Sequence, residues 1–212
     1  MKRPEIRAEL DRLSLRYPFP QSEWKRLTRR EWILDYAKPG RRSIGAEIGV
    51  FRGHFSECIC EVLRPRKLYL VDPWTLIGPT FNWGKLDYTN NDELPTAVAR
   101  DEAILRCAQF PKVDTVVVEG AFPACKDQIA EPLDWVYLDA SHSYQKTLNE
   151  LFALDALVAP SGTILGDDWQ INPTGKHHGV FAAVQEFVRQ SDWRIVAAGP
   201  AGQWALRRYT EA

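Results

Sequence analysis

The sequence predicts an α/β protein in which seven strands form one mostly parallel sheet with helices on both faces. Three observations carry this prediction. Short β-rich runs alternate with polar or glycine turns and then helical patterns along the whole chain. The strand candidates are apolar without interruption, as suits strands covered on both faces. The last two are separated only by Pro200 and Ala201, so they should pair as an antiparallel hairpin closing an otherwise parallel sheet.

Taken in order, residues 5–16 and 22–37 carry the spacing of amphipathic helices. Pro18 and Pro20 lie between them, and the stretch from Lys38 to Arg42 ends the second. They form a helical extension over 1–40, ahead of a sheet domain over 41–212. The strands are expected at 43–49, 67–72, 114–120, 134–139, 162–167, 193–199 and 202–209. Helices are expected at 54–63, 92–109, 122–130, 143–158 and 178–190. The connection at about 74–95 is too long for an ordinary βα loop and rich in aromatic residues. It reads either as a lid that offers Phe81, Trp83 and Tyr88 to a substrate, or as a loop whose aromatics pack onto the body.

A chain of 212 residues, 45% hydrophobic, suffices for one core. Its 27 basic and 28 acidic residues leave a formal charge of -1, so no global field favours a nucleic acid or an anionic membrane. The basic stretches "KRPEIR" and "WKRLTRRE" in the N-terminal third read as a solvated helical face rather than a polyanion site. The four cysteines lack metal-ligand spacing and fit a reduced cytoplasmic protein. No run approaches the ~20 apolar residues needed to span a bilayer. A small-molecule partner is expected, with the oligomeric state open.

Two segments carry chemistry. In "GAEIGVFRGHFSE" the first strand delivers Glu47 and Gly49, and Gly53 stands where a helix begins. Glycines there admit a ligand close to the backbone, and a helix start favours a carboxylate or phosphate. Asp139 ends the fourth strand and Asp167-Asp168 the fifth. As neighbours at the carboxyl edge of the sheet, these carboxylates would converge and repel unless they share a cation or proton. Oxygen-only ligation would select Mg2+, with Mn2+ or Ca2+ as substitutes. Read without an ion, Asp139 caps the next helix and Asp167 or Asp168 turns the chain.

The spacing Glu47-x-Gly49-x-x-x-Gly53, followed by Asp72 at the end of strand two, resembles the first motifs of class I S-adenosylmethionine-dependent methyltransferases, whose sheet is Rossmann-like. The resemblance implies that Glu47, Gly49 and Gly53 face the methionine part of the cofactor and Asp72 the ribose. It places Gly120, Ala121 and Phe122 by the adenine. The segment 135–169 resembles the branch that includes metal-dependent O-methyltransferases of macrolide and aminocoumarin sugars, and the likeness covers roughly 43–170. It implies Mg2+ held by Asp139, Asp167 and Asp168 beside the hydroxyl of a sugar or natural product. That branch commonly has an Asp base two residues after the first Asp, where this chain has Ser141. The arrangement Asp139-x-x-His142-x-Tyr144 resembles that of a wider branch of the same family, which implies that His142 is the base or a residue supporting it; read without catalysis, His142 is a helix-start residue bonded to backbone. Lys176, His177 and His178 read as a solvent-facing helix start or as part of the acceptor pocket. Alternatives are a metal-independent N- or O-methyltransferase, a nicotinamide oxidoreductase, disfavoured by Phe51 in the glycine loop, and a noncatalytic cofactor-binding protein.

Overall fold

The computed structural model describes residues 3–37, 42–83 and 86–209. Its sheet comprises β1 (Ile44–Ile48), β2 (Lys67–Asp72), β3 (Asp114–Glu119), β4 (Leu133–Leu138), β5 (Val158–Gly166), β6 (Trp193–Ala198) and β7 (Trp204–Arg208). The spatial order is β3-β2-β1-β4-β5-β7-β6. The pairings from β3 to β5 are parallel, and β7 runs antiparallel to both neighbours. The expected hairpin forms, but β7 inserts between β5 and β6, so β6 rather than the last strand is the edge.

Successive strand residues point to opposite faces, and here both faces are covered. In β4, Val136 and Leu138 enter one apolar cluster with Leu151, Leu154, Val184 and Phe187. Trp135 and Tyr137 enter the other, with Ile59, Leu68, Leu165 and Ala205. This double burial is why the strands read as unbroken apolar runs. The helices are α1 (Arg3–Arg16), α2 (Gln21–Arg30), α3 (His54–Val62), α4 (Thr96–Ala108), α5 (Tyr144–Leu157) and α6 (His178–Gln190).

Three sequence expectations need correction. The helix expected over 22–37 changes after Arg30 into a 3-10 turn, Glu31–Tyr36, that buries the adjacent Ile33 and Leu34 completely. The helix expected from 92 begins at Thr96, because Pro95 holds extended backbone at its start. No α-helix forms over 122–130; the segment turns, with only a short 3-10 piece at Lys126–Gln128. Pro123 lacks a donor and Pro132 stops the far end, which leaves too short a stretch to repay helix nucleation. The proposed boundary between 40 and 41 lies outside the described residues.

The sheet order reverses at β1, whose neighbours are β2 and β4. In open α/β sheets the carboxyl ends of the strands at such a point form a crevice for a ligand. The glycine loop after β1 and the carboxylates after β4 and β5 lie at that edge.

Candidate active site

The glycine loop is set by its own backbone and by Asp72. Gly49 and Gly53 both have positive φ, 91° and 72°. A side chain at Gly49 would lie 2.0 Å from the Asp139 carbonyl, and one at Gly53 would lie 2.5 Å from Cα of Ala103. Both glycines are thus required by close approach of the chain to itself. Asp72 Oδ2 accepts the amides of Val50 and Phe51 at 3.0 and 2.9 Å, and Oδ1 accepts that of Trp74 at 2.9 Å. Burial pushes the Asp72 carboxyl up, and these three amides draw it back. Glu47 lies beneath the loop, 2% exposed, with Ser56 Oγ donating to it. Burial first, then Asp139 and Asp72, push it up to about 8 against the pull of Ser56.

Gly120 donates to the Asp72 carbonyl at 3.0 Å. Ala121 is exposed, and Phe122 is half-buried against the core beside β3. The 74–83 and 86–95 stretches pack against the glycine loop. Phe51 meets Phe81, Trp83 and Tyr88 with ring centroids 4.9, 5.6 and 5.7 Å apart. Phe81 and Trp74 are buried, and Trp74 Nε1 donates to the Phe51 carbonyl. Gly84 and Lys85, within the proposed lid, lie outside the described residues.

The three strand-end carboxylates do come together. Asp139, Asp167 and Asp168 each offer an oxygen within 4.8 Å of the others. A cation from the protein already lies among them. Arg30, at the end of α2, is 3% exposed; its Nη1 is 2.9 Å from Asp139 Oδ2 and its Nη2 pairs with Asp167 Oδ2. Asp167 Oδ2 also lies 3.4 Å from Arg26, while its Oδ1 accepts from Gln203 Nε2. Burial and repulsion from Asp139 push Asp167 up to about 8, against the pull of Arg30. An oxygen-only Mg2+ set therefore does not fit these residues as they stand: two of its three ligands are ion-paired, and both oxygens of Asp167 are engaged.

Asp168, with φ of 64°, pairs with two histidines rather than with Arg30. Its Oδ2 lies 2.7 Å from His142 Nδ1 and 3.0 Å from His177 Nδ1. Burial by itself would lower the His142 pKa, but Asp168, Asp139 and Asp167 together prevail and raise it above its ordinary value. Burial likewise opposes ionisation of Asp168, yet His142, His177 and Arg30 hold it below the usual carboxylate range. The His142 side chain remains 40% exposed, so it can meet a substrate. Sequence reasoning missed Arg30 and Arg26, whose i,i+4 spacing puts them on one helix face, and left His177 as one of two readings.

A family model described as a methyltransferase domain matches residues 46–169, more than half of the chain. The chain belongs to the methyltransferase domain family. No curated protein matches it in sequence. Among solved structures, the fold of this methyltransferase resembles the O-methyltransferase TomG from Streptomyces achromogenes, with 14% identity and TM-score 0.57, over 97% of this chain and 90% of that one. It also resembles the ribosomal protein L11 methylase from Lactobacillus delbrueckii subsp. bulgaricus, with 13% identity and TM-score 0.59, over 91% and 81%. A third likeness is to an rRNA methylase from Streptococcus thermophilus, with 12% identity and TM-score 0.56, over 85% and 94%. Membership makes the chain an S-adenosylmethionine-dependent methyltransferase, whereas these distant likenesses show the fold alone. Among the described residues, no helix is long and apolar enough to cross a membrane.

Proposed function

We propose that this methyltransferase transfers a methyl group to a hydroxyl of a small molecule, with His142 as the proton acceptor. The contact of His142 Nδ1 with Asp168 carries the reading. A ring whose Nδ1–H faces a carboxylate keeps the lone pair on Nε2, and a half-exposed Nε2 is then free to take a proton.

Bound S-adenosylmethionine supplies a methyl already activated on a sulfonium. The loop from Gly49 to Gly53 and the start of α3 suit its methionine carboxylate. Asp72 Oδ1 accepts only one amide and retains capacity for a ribose hydroxyl, and Phe122 offers an apolar wall for the base. The acceptor oxygen attacks the methyl carbon as the carbon–sulfur bond breaks, the bonding pair leaves with sulfur, and the hydroxyl proton passes to His142 Nε2. Because two of the three expected Mg2+ ligands are paired with Arg30, no step is assigned to a divalent ion.

The test is release of S-adenosylhomocysteine across a panel of sugars, phenols and hydroxylated natural products. His142→Ala should slow turnover by roughly 10²–10⁴-fold, the usual worth of a positioned base, while S-adenosylhomocysteine affinity holds. An unaltered rate in that variant removes His142 as the base. Preference for amines over every hydroxyl would favour N-methylation instead.

A further inference from the structure

We infer that Arg30 takes the place a divalent cation would hold between Asp139 and Asp167, making the N-terminal segment a built-in part of the site. The inference goes beyond the choice of acceptor and base, and stands whether or not His142 takes the proton.

The observations are geometric. The planar guanidinium reaches two carboxylates from different strands: Nη1 donates to Asp139, and Nη2 is in ion-pair contact with Asp167, while neither Nη2 nor Nε completes a hydrogen bond. A fork of fixed donors suits two carboxylates in a way a flexible ammonium does not. Arg30 is held from both sides: it is the last residue of α2, and the turn that follows anchors Ile33 and Leu34 with no exposure. Its position is therefore fixed by the backbone rather than by a mobile side chain at the surface. Arg26, 3.4 Å from the same Asp167 oxygen, adds a second positive group. A dication entering between Asp139 and Asp167 would meet two guanidinium groups at contact range, and in a partly dry site that repulsion is weakly screened. Gln203 Nε2 occupies the remaining Asp167 oxygen, and Gln203 is itself fully buried. Displacing Arg30 would also strand a buried charge, which is costly.

Arg30 is thus a positioning residue. It holds Asp139 and Asp167 together at the edge of β4 and β5, and it leaves Asp168 to orient His142. The cluster of His142, Asp168 and His177 is a separate group of ligand-type atoms, so the experiment must tell the two apart.

Mn2+ is titrated into the full chain and free ion is followed by electron paramagnetic resonance, in wild type, Arg30→Ala, Asp139→Asn and His177→Ala. Thermal midpoints are recorded with and without Mn2+. Wild type should show no Mn2+ binding that Asp139→Asn abolishes. Arg30→Ala should gain Mn2+ affinity by about tenfold or more, and its thermal midpoint should rise with the ion while that of wild type does not. Wild-type binding that is lost in His177→Ala and kept in Asp139→Asn would also support the inference, since the ion then avoids the Arg30 pair. Wild-type binding lost in Asp139→Asn overturns it, and so does folded Arg30→Ala that gains no affinity. Should Arg30→Ala fail to fold, the wild-type and Asp139→Asn titrations decide. S-adenosylhomocysteine binding, measured in parallel, reports on the methyltransferase reading independently of all these outcomes.

Discussion

At the scale of single residues, Glu47 gives a pH signature. Its folded carboxyl is pushed up to about 8 by burial, whereas in the unfolded chain it ionises at an ordinary value. Between those two values the folded state holds more protons than the unfolded one, so its contribution to stability is present at low pH and lost as pH rises. The shift corresponds to on the order of 5 kcal/mol at most. Glu47→Gln keeps a partner for Ser56 without the charge. Its thermal midpoint, followed between pH 5 and 8, should fall less with rising pH than that of wild type; parallel curves would refute the assignment. Asp167 and Glu150, also pushed up by burial, act in the same direction and remain in the variant. His54, lowered by burial beside Arg106 and Arg52, acts in the opposite direction. The roles of such residues were only partly legible in the sequence. Asp139, Asp167, Asp168 and His142 announced themselves by standing where apolar strands stop. Arg30 did not, because nothing in "WKRLTRRE" distinguishes an arginine that points at water from one a distant strand will bury. That distinction depends on contacts between residues 109 positions apart.

At the scale of elements, the unbroken apolar runs located the strands because a doubly covered sheet demands them. The insertion of β7 between β5 and β6 was not legible: a hairpin signal fixes which strands pair with each other, but not which neighbour the hairpin adopts. The failed helix at 122–130 has the same cause in miniature, since composition there competes with two prolines and a short span. The join of β1 to α3 gives a sharper test. Gly53 combines a φ of 72° with an approach to the Ala103 backbone of α4. Gly53→Ala would add left-handed strain to overpacking, together roughly 2–4 kcal/mol. For a chain of this length the thermal midpoint should drop by about 4–16 °C, with S-adenosylhomocysteine affinity falling as the loop shifts. An unchanged midpoint would show that α4 gives way at no cost.

At the scale of the whole molecule, the N-terminal helices are tied to the sheet domain by buried charge as well as by apolar contact. Glu102 is fully buried, pairing with Arg52 and Arg106. Arg52 donates onward to the Tyr17 carbonyl at the end of α1, and Phe19 stacks on His54 with ring centroids 3.7 Å apart. Removing the shared carboxylate would leave two arginines buried without it. Glu102→Ala should therefore lose about 3–5 kcal/mol, read by urea denaturation, and a loss below about 1 kcal/mol would mean that water reaches the arginines readily. The place of β7 has a consequence in time as well as in space. Asp167 takes its Gln203 partner from the residue just before β7, and Trp204 Nε1 donates to the Asp167 carbonyl. A ribosome delivers these residues after every other strand. The carboxylate edge thus cannot finish assembling on a growing chain until that late segment has threaded between β5 and its neighbour, so a nascent chain stalled before Gln203 would carry the glycine loop without a completed site opposite it.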